Sequence, residues 1–74
     1  MKTTVKFLGL TEDGFAICEV ENSFAVTYVE YDVVRMSVVS ELAFDNTHNL
    51  IEVYNPLSIM DTEVIAEWFN GILN

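Results

Sequence analysis

A chain of 74 residues, 51% of them hydrophobic, has apolar surface for one small core and too little length for two, so a single domain over residues 1–74 is expected. Twelve acids against three bases give a formal net charge of −9, which disfavours direct binding to nucleic acid or to an anionic membrane, because both demand bases that neutralise phosphate. The single cysteine, Cys18, excludes an internal disulfide and a four-cysteine zinc site and suits a reducing cytoplasm.

The N-terminal apolar stretch is broken at once by threonine, glycine and acids, and reads as neither a signal peptide nor a membrane span. Residues 3–10, TTVKFLGL, alternate in part, with Val5 and Phe7 on one side and Thr4 and Lys6 on the other. TEDG at 11–14 is a turn signal whose Asp-Gly pair suits a hairpin. FAICEVE at 15–21 then sets Ala16, Cys18 and Val20 against Phe15, Ile17, Glu19 and Glu21, and an N-terminal β-hairpin follows.

The middle of the chain supports two readings. Asn22-Ser23 suits either a two-residue turn into a third strand, FAVTYVEY, or the cap of a helix starting near Phe24. Residues 33–44, VVRMSVVSELAF, read as a strand with Val34, Met36, Val38, Leu42 and Phe44 on one face, or as a helix with a Tyr31, Val34, Val38, Leu42 stripe. Because Gly and Pro are absent from 15–55, strong turn signals are few, and the balance tips to a helix over part of 28–42.

DNTHN at 45–49 is a polar connection and LIEVY at 50–54 a strand that Asn55-Pro56 ends. DTEVIAEWFNGIL at 61–73 is the clearest helix, with Asp61 as N-cap, Met60 and Ile65 in the hydrophobic-staple positions, and a stripe of Val64, Trp68, Ile72, Ile65, Phe69 and Leu73. The expected fold is α+β: a small antiparallel sheet, made of the N-terminal hairpin and one or two further strands, packed with the C-terminal helix and a middle helix.

No residue set stands out for catalysis, and neither a cofactor nor a metal is expected. Cys18, His48 and Asp45 are the candidates for a nucleophile, base and orienting acid, but Cys18 shares its face with Ala16 and Val20 and behaves as a small hydrophobe. The stretch from Asp45 begins like a calcium loop, then has Leu50 where glycine is needed and Pro56 where a bidentate glutamate is needed. The Asp-Ser-Leu attachment site of acyl carriers is missing, as are glycine-rich phosphate loops and HExxH segments. A close pair among twelve carboxylates is expected by abundance alone, so it points to no hydrolytic site without a cleft.

The charge pattern carries the functional reading. Between Phe7 and Val34 lie Glu12, Asp13, Glu19, Glu21, Glu30 and Asp32 without a base, and from Met36 onward six further acids without lysine or arginine. Solubility needs only a modest net charge, so this imbalance favours a basic partner. Glu19 and Glu21 are the first candidates for contact, followed by Glu30, Asp32 and Glu52. Tyr28 and Tyr31, and Tyr54 beyond them, are candidate anchors whose hydroxyls stay wet, while Phe24, Trp68 and Phe69 are assigned to packing.

In length, charge, cysteine poverty and α+β pattern the chain resembles the small acidic inhibitors carried by phages, including the anti-CRISPR proteins that imitate DNA. That resemblance implies a non-enzymatic protein in the host bacterial cytoplasm. It would block target DNA recognition by occupying the lysine- and arginine-rich site of a CRISPR effector complex. The competing class is an antitoxin-like or nuclease-immunity module that binds through an aromatic patch, for which aromatic truncation hurts more than charge reversal. Glu19→Lys with Glu21→Lys is expected to impair inhibition and spare the fold, and the oligomeric state is left open by the sequence.

Overall fold

The structure is a computed structural model, and it describes residues 2–42 and 57–73. Four strands, β1 (Thr4–Leu10), β2 (Phe15–Glu21), β3 (Val26–Asp32) and β4 (Ser37–Leu42), form an antiparallel sheet in the order β1-β2-β3-β4, followed by one helix, α1 (Ile59–Leu73). The α+β class is therefore as expected, with two strands after the hairpin. The strand expected at 50–54, the connection at 45–49 and the residues Asp45, His48, Glu52 and Tyr54 lie outside the described residues.

The first hairpin follows from its turn chemistry. Gly14 donates to the Thr11 carbonyl at 3.0 Å, Thr11 donates to the Phe15 carbonyl at 2.8 Å, and Gly14 takes φ 88°, a left-handed conformation that glycine adopts without steric cost. This is a type I turn closed by a left-handed glycine, the usual solution for a three-residue hairpin loop. β1 and β2 then pair from Thr4 with Glu21 to Leu10 with Ala16, with a bulge between Phe7 and Gly9.

The middle helix is not formed: residues 26–32 and 37–42 make β3 and β4 instead, joined by a turn at 33–36. Two side chains supply the turns that glycine and proline would otherwise mark. Asn22 Oδ1 accepts from the Phe24 and Ala25 amides at 2.8 and 3.1 Å, and Asp32 Oδ1 accepts from the Val34 and Arg35 amides at 3.0 Å each. Met36 completes the second turn at φ 54°. Val34, expected on a buried strand or helix face, sits on that turn and is 91% exposed.

The register fixes the faces. Ala16, Cys18 and Val20 of β2 point the same way as Val29 and Tyr31 of β3, and this inner face packs on Ile65 and Phe69 of α1. Val5, Phe7, Leu10, Val38, Val64 and Trp68 pack around this centre. Burying Ile65 and Phe69 contributes about 1.5–3 kcal/mol each, and the helix position rests on that contact. Ile72 and Leu73, expected in the buried stripe, remain substantially exposed in the last turn, and Phe24, assigned to packing, is 76% exposed.

The helix start differs from expectation by one turn. Ser58, in place of Asp61, is the N-cap: its Oγ accepts from the Asp61 amide at 3.1 Å, while Asp61 Oδ2 accepts from the Ser58 amide at 2.9 Å and the Ser58 hydroxyl at 2.8 Å. That reciprocal arrangement is a capping box, with the acid in the first turn where the helix dipole favours it. With the cap at Ser58, Met60 and Ile65 no longer occupy the staple positions, and Met60 is exposed.

Candidate partner-binding site

Alternation on the sheet brings the candidate carboxylates together. Since Cys18 and Val20 face the helix, Glu19 and Glu21 face away from it, and the pairings Glu19–Tyr28, Ile17–Glu30 and Phe15–Asp32 put Tyr28, Glu30 and Asp32 on that same outer face. Carboxylates two residues apart on a strand lie roughly 6 to 7 Å apart. Glu52 lies outside the described residues.

The members of this face differ in what holds them. Glu19 Oε2 accepts from the Tyr28 hydroxyl at 3.0 Å, a bond that pushes the Tyr28 phenol above its ordinary value, and its cross-strand neighbour on β1 is Lys6. Asp32 is engaged by its turn, and its Oδ2 lies 3.9 Å from Arg35 Nε, the only ion pair among the described residues. Glu21 faces Thr4 and Val26, and Glu30 faces Ile17 and Ser40, neighbours with no charge to answer theirs.

Exposure is uneven across the face. Ile17 is fully buried although it points away from the helix, so the centre of the face is closed to solvent. Glu19, Tyr28, Glu30 and Asp32 are half-buried, whereas Glu21 is exposed and Val26 is 54% exposed. The open end is thus the Glu21–Val26 end, next to the loop that carries Phe24.

Tyr31 does not belong to this surface. It lies on the inner face with no exposed area, and its hydroxyl donates to Asp61 Oδ1 at 2.7 Å in place of water. Alternation explains the reversal, because Tyr28 and Tyr31 are an odd number of residues apart and must face opposite ways. Burial, the bond to Asp61 and its nearby negative charge all raise the Tyr31 phenol. For Asp61, burial pushes upward, but the Ser58 amide, Tyr31 hydroxyl and Ser58 hydroxyl outweigh it and hold the carboxyl below its ordinary value.

Cys18 lies in the same core with its thiol pushed up to about 12, first by burial and then by the Asp61 charge, and a thiol so rarely ionised is a poor nucleophile. Among the described residues no group of three or more His, Cys, Asp or Glu is placed to hold a metal, and no helix is long and apolar enough to cross a membrane. Glu41 belongs elsewhere, accepting from Thr27 Oγ1 at 2.8 Å. Phe24, assigned to packing from the sequence, and Val26, within the third-strand reading FAVTYVEY, are both exposed here. The signal for Phe24 was Asn22-Ser23, which lifts the residue after it to the tip of a turn.

Comparison with protein families, with curated proteins and with solved structures finds no match.

Proposed function

We propose that this protein is a non-enzymatic inhibitor that binds the basic nucleic-acid-binding site of a bacterial protein through the outer face of its sheet. The observation that supports this reading is the gathering of Glu19, Glu21, Glu30 and Asp32 on one face of β2 and β3, in a chain of net charge −9. A base-lined groove built for phosphate meets a regular row of carboxylates there, and long-range attraction speeds the encounter. The narrower form of the proposal is an anti-CRISPR protein that blocks DNA recognition by a CRISPR effector. A second reading, an immunity-type module binding through an aromatic patch, draws on the exposed Phe24.

The tagged protein, incubated with bacterial lysate at low and at moderate salt, tests this directly. Retained proteins should be nucleic-acid-binding ones, released by salt and displaced by added duplex DNA. Glu21→Lys with Glu30→Lys is the variant of choice, because reversal at Glu19 would break the Tyr28 bond and set a lysine opposite Lys6. Binding should fall by about tenfold or more in the double variant. Capture that resists salt, DNA and this double reversal alike would exclude charge mimicry and leave the aromatic patch.

A further inference from the structure

We infer that the exposed Glu21–Val26 end of the outer face, with Phe24 on the adjoining loop, docks an arginine side chain of the basic partner and prefers it to lysine. This rests on the reading of a basic partner given above and adds which base is read and where. Phe24 is 76% exposed and Val26 54% exposed, and among the exposed large apolar side chains of the described residues Phe24 is the one aromatic ring. Val26 pairs across the strands with Glu21, so an apolar surface and a carboxylate stand side by side on one face. Phe24 is presented two residues earlier, on a loop closed by the Asn22 amide to Ala25 carbonyl bond at 3.0 Å and by the two bonds to Asn22 Oδ1.

The occupant follows from charge and shape together. A purely apolar partner would leave Glu21 desolvated and unpaired, and an acidic one would be repelled. An ammonium suits the carboxylate but is compact and strongly hydrated, and so makes little use of an aromatic face. A guanidinium is planar and weakly hydrated: it stacks on a ring while its N–H groups reach a carboxylate, and its methylene stem covers an aliphatic neighbour such as Val26. The molecule's own bases do not occupy the place. Among the described residues the one ion pair is that of Arg35 with Asp32; Lys6 is opposite Glu19, and Lys2 lines a groove with Thr4, Thr62 and Glu63 and makes no ion pair with Glu21.

The test is an amide-resolved NMR titration of the isotope-labelled protein with a capped peptide alternating arginine and glycine, beside its lysine counterpart, at low salt. The arginine peptide should bind more tightly and shift the amides of Glu21, Phe24 and Val26. Phe24→Ala should weaken the arginine peptide by about two- to fivefold and leave the lysine peptide unchanged, with Phe24→Tyr restoring the preference. Phe24 is exposed, so the variant's unperturbed amide spectrum serves as the control for folding. Equal binding of the two peptides, indifference to Phe24→Ala, or shifts confined to other residues would overturn the arginine site and leave the basic-partner reading standing. Failure of both peptides to bind would overturn both.

Discussion

Burying a carboxylate is unfavourable unless its lone pairs are filled, and at Asp61, which is 6% exposed, the Ser58 amide, the Ser58 hydroxyl and the Tyr31 hydroxyl fill them. The bond from Tyr31 is the one that spans sheet and helix. Tyr31→Phe keeps the ring in its place and removes only the donor, so near neutral pH it should cost about 1.5–3 kcal/mol in urea unfolding, as expected for a hydrogen bond to a charged acceptor. The pH dependence has a definite sign. The Asp61 carboxyl is held below its ordinary value of 3.8 in the folded state, so its stabilisation is fully present above that value and is lost as pH falls through the lower, folded one. The penalty of Tyr31→Phe should therefore shrink at strongly acidic pH, where Asp61 is protonated in both proteins. An equal penalty at neutral and at strongly acidic pH would show that the hydroxyl matters through packing alone.

At the scale of elements, what could be read from sequence was what glycine and period-two alternation announce. TEDG and FAICEVE carry both signals, and the hairpin, its faces and the outward pair Glu19 and Glu21 follow from them. The second and third turns carry neither glycine nor proline. They are made by the Asn22 and Asp32 side chains and by a methionine in the left-handed region, a conformation that costs an L-residue about 1–2 kcal/mol and that no local pattern announces. Tyr31 was misplaced for the same reason, since a helix over 28–42 dissolves the alternation that separates it from Tyr28. The helix start carried a signal that the assignment of Asp61 as N-cap overlooks: a serine three residues before an acid, ahead of an apolar run, is a capping box, and Ser58 with Asp61 fits it. Ser58→Ala removes both the cap and one donor to Asp61. It should lower stability by about 1 kcal/mol, and Ser58→Thr should restore most of it in the same denaturation series. No loss in Ser58→Ala would mean that packing of Ile65 and Phe69 alone sets where α1 begins.

At the scale of the molecule, the same carboxylates that suit a basic partner work against the free protein. With a net charge of −9 and one ion pair among the described residues, acids a strand-step apart sit within the Debye length at physiological salt, which is about 8 Å. Salt should then act in opposite directions on the two equilibria, stabilising the free fold while weakening the complex. Chloride salt also screens indifferently, so the decisive comparison is with a variant whose charge alone is changed. Glu21→Lys with Glu30→Lys takes the net charge from −9 to −5, and it touches neither the Tyr28–Glu19 bond nor the Tyr31–Asp61 bond. Its urea midpoint at low salt should exceed that of the parent by the equivalent of about 0.5–1 kcal/mol, and the gap should close at high salt. A fold that gains stability when these two acids are reversed, while its binding falls, holds them for the partner; a fold that gains nothing carries them at no cost, and solubility alone would then account for them.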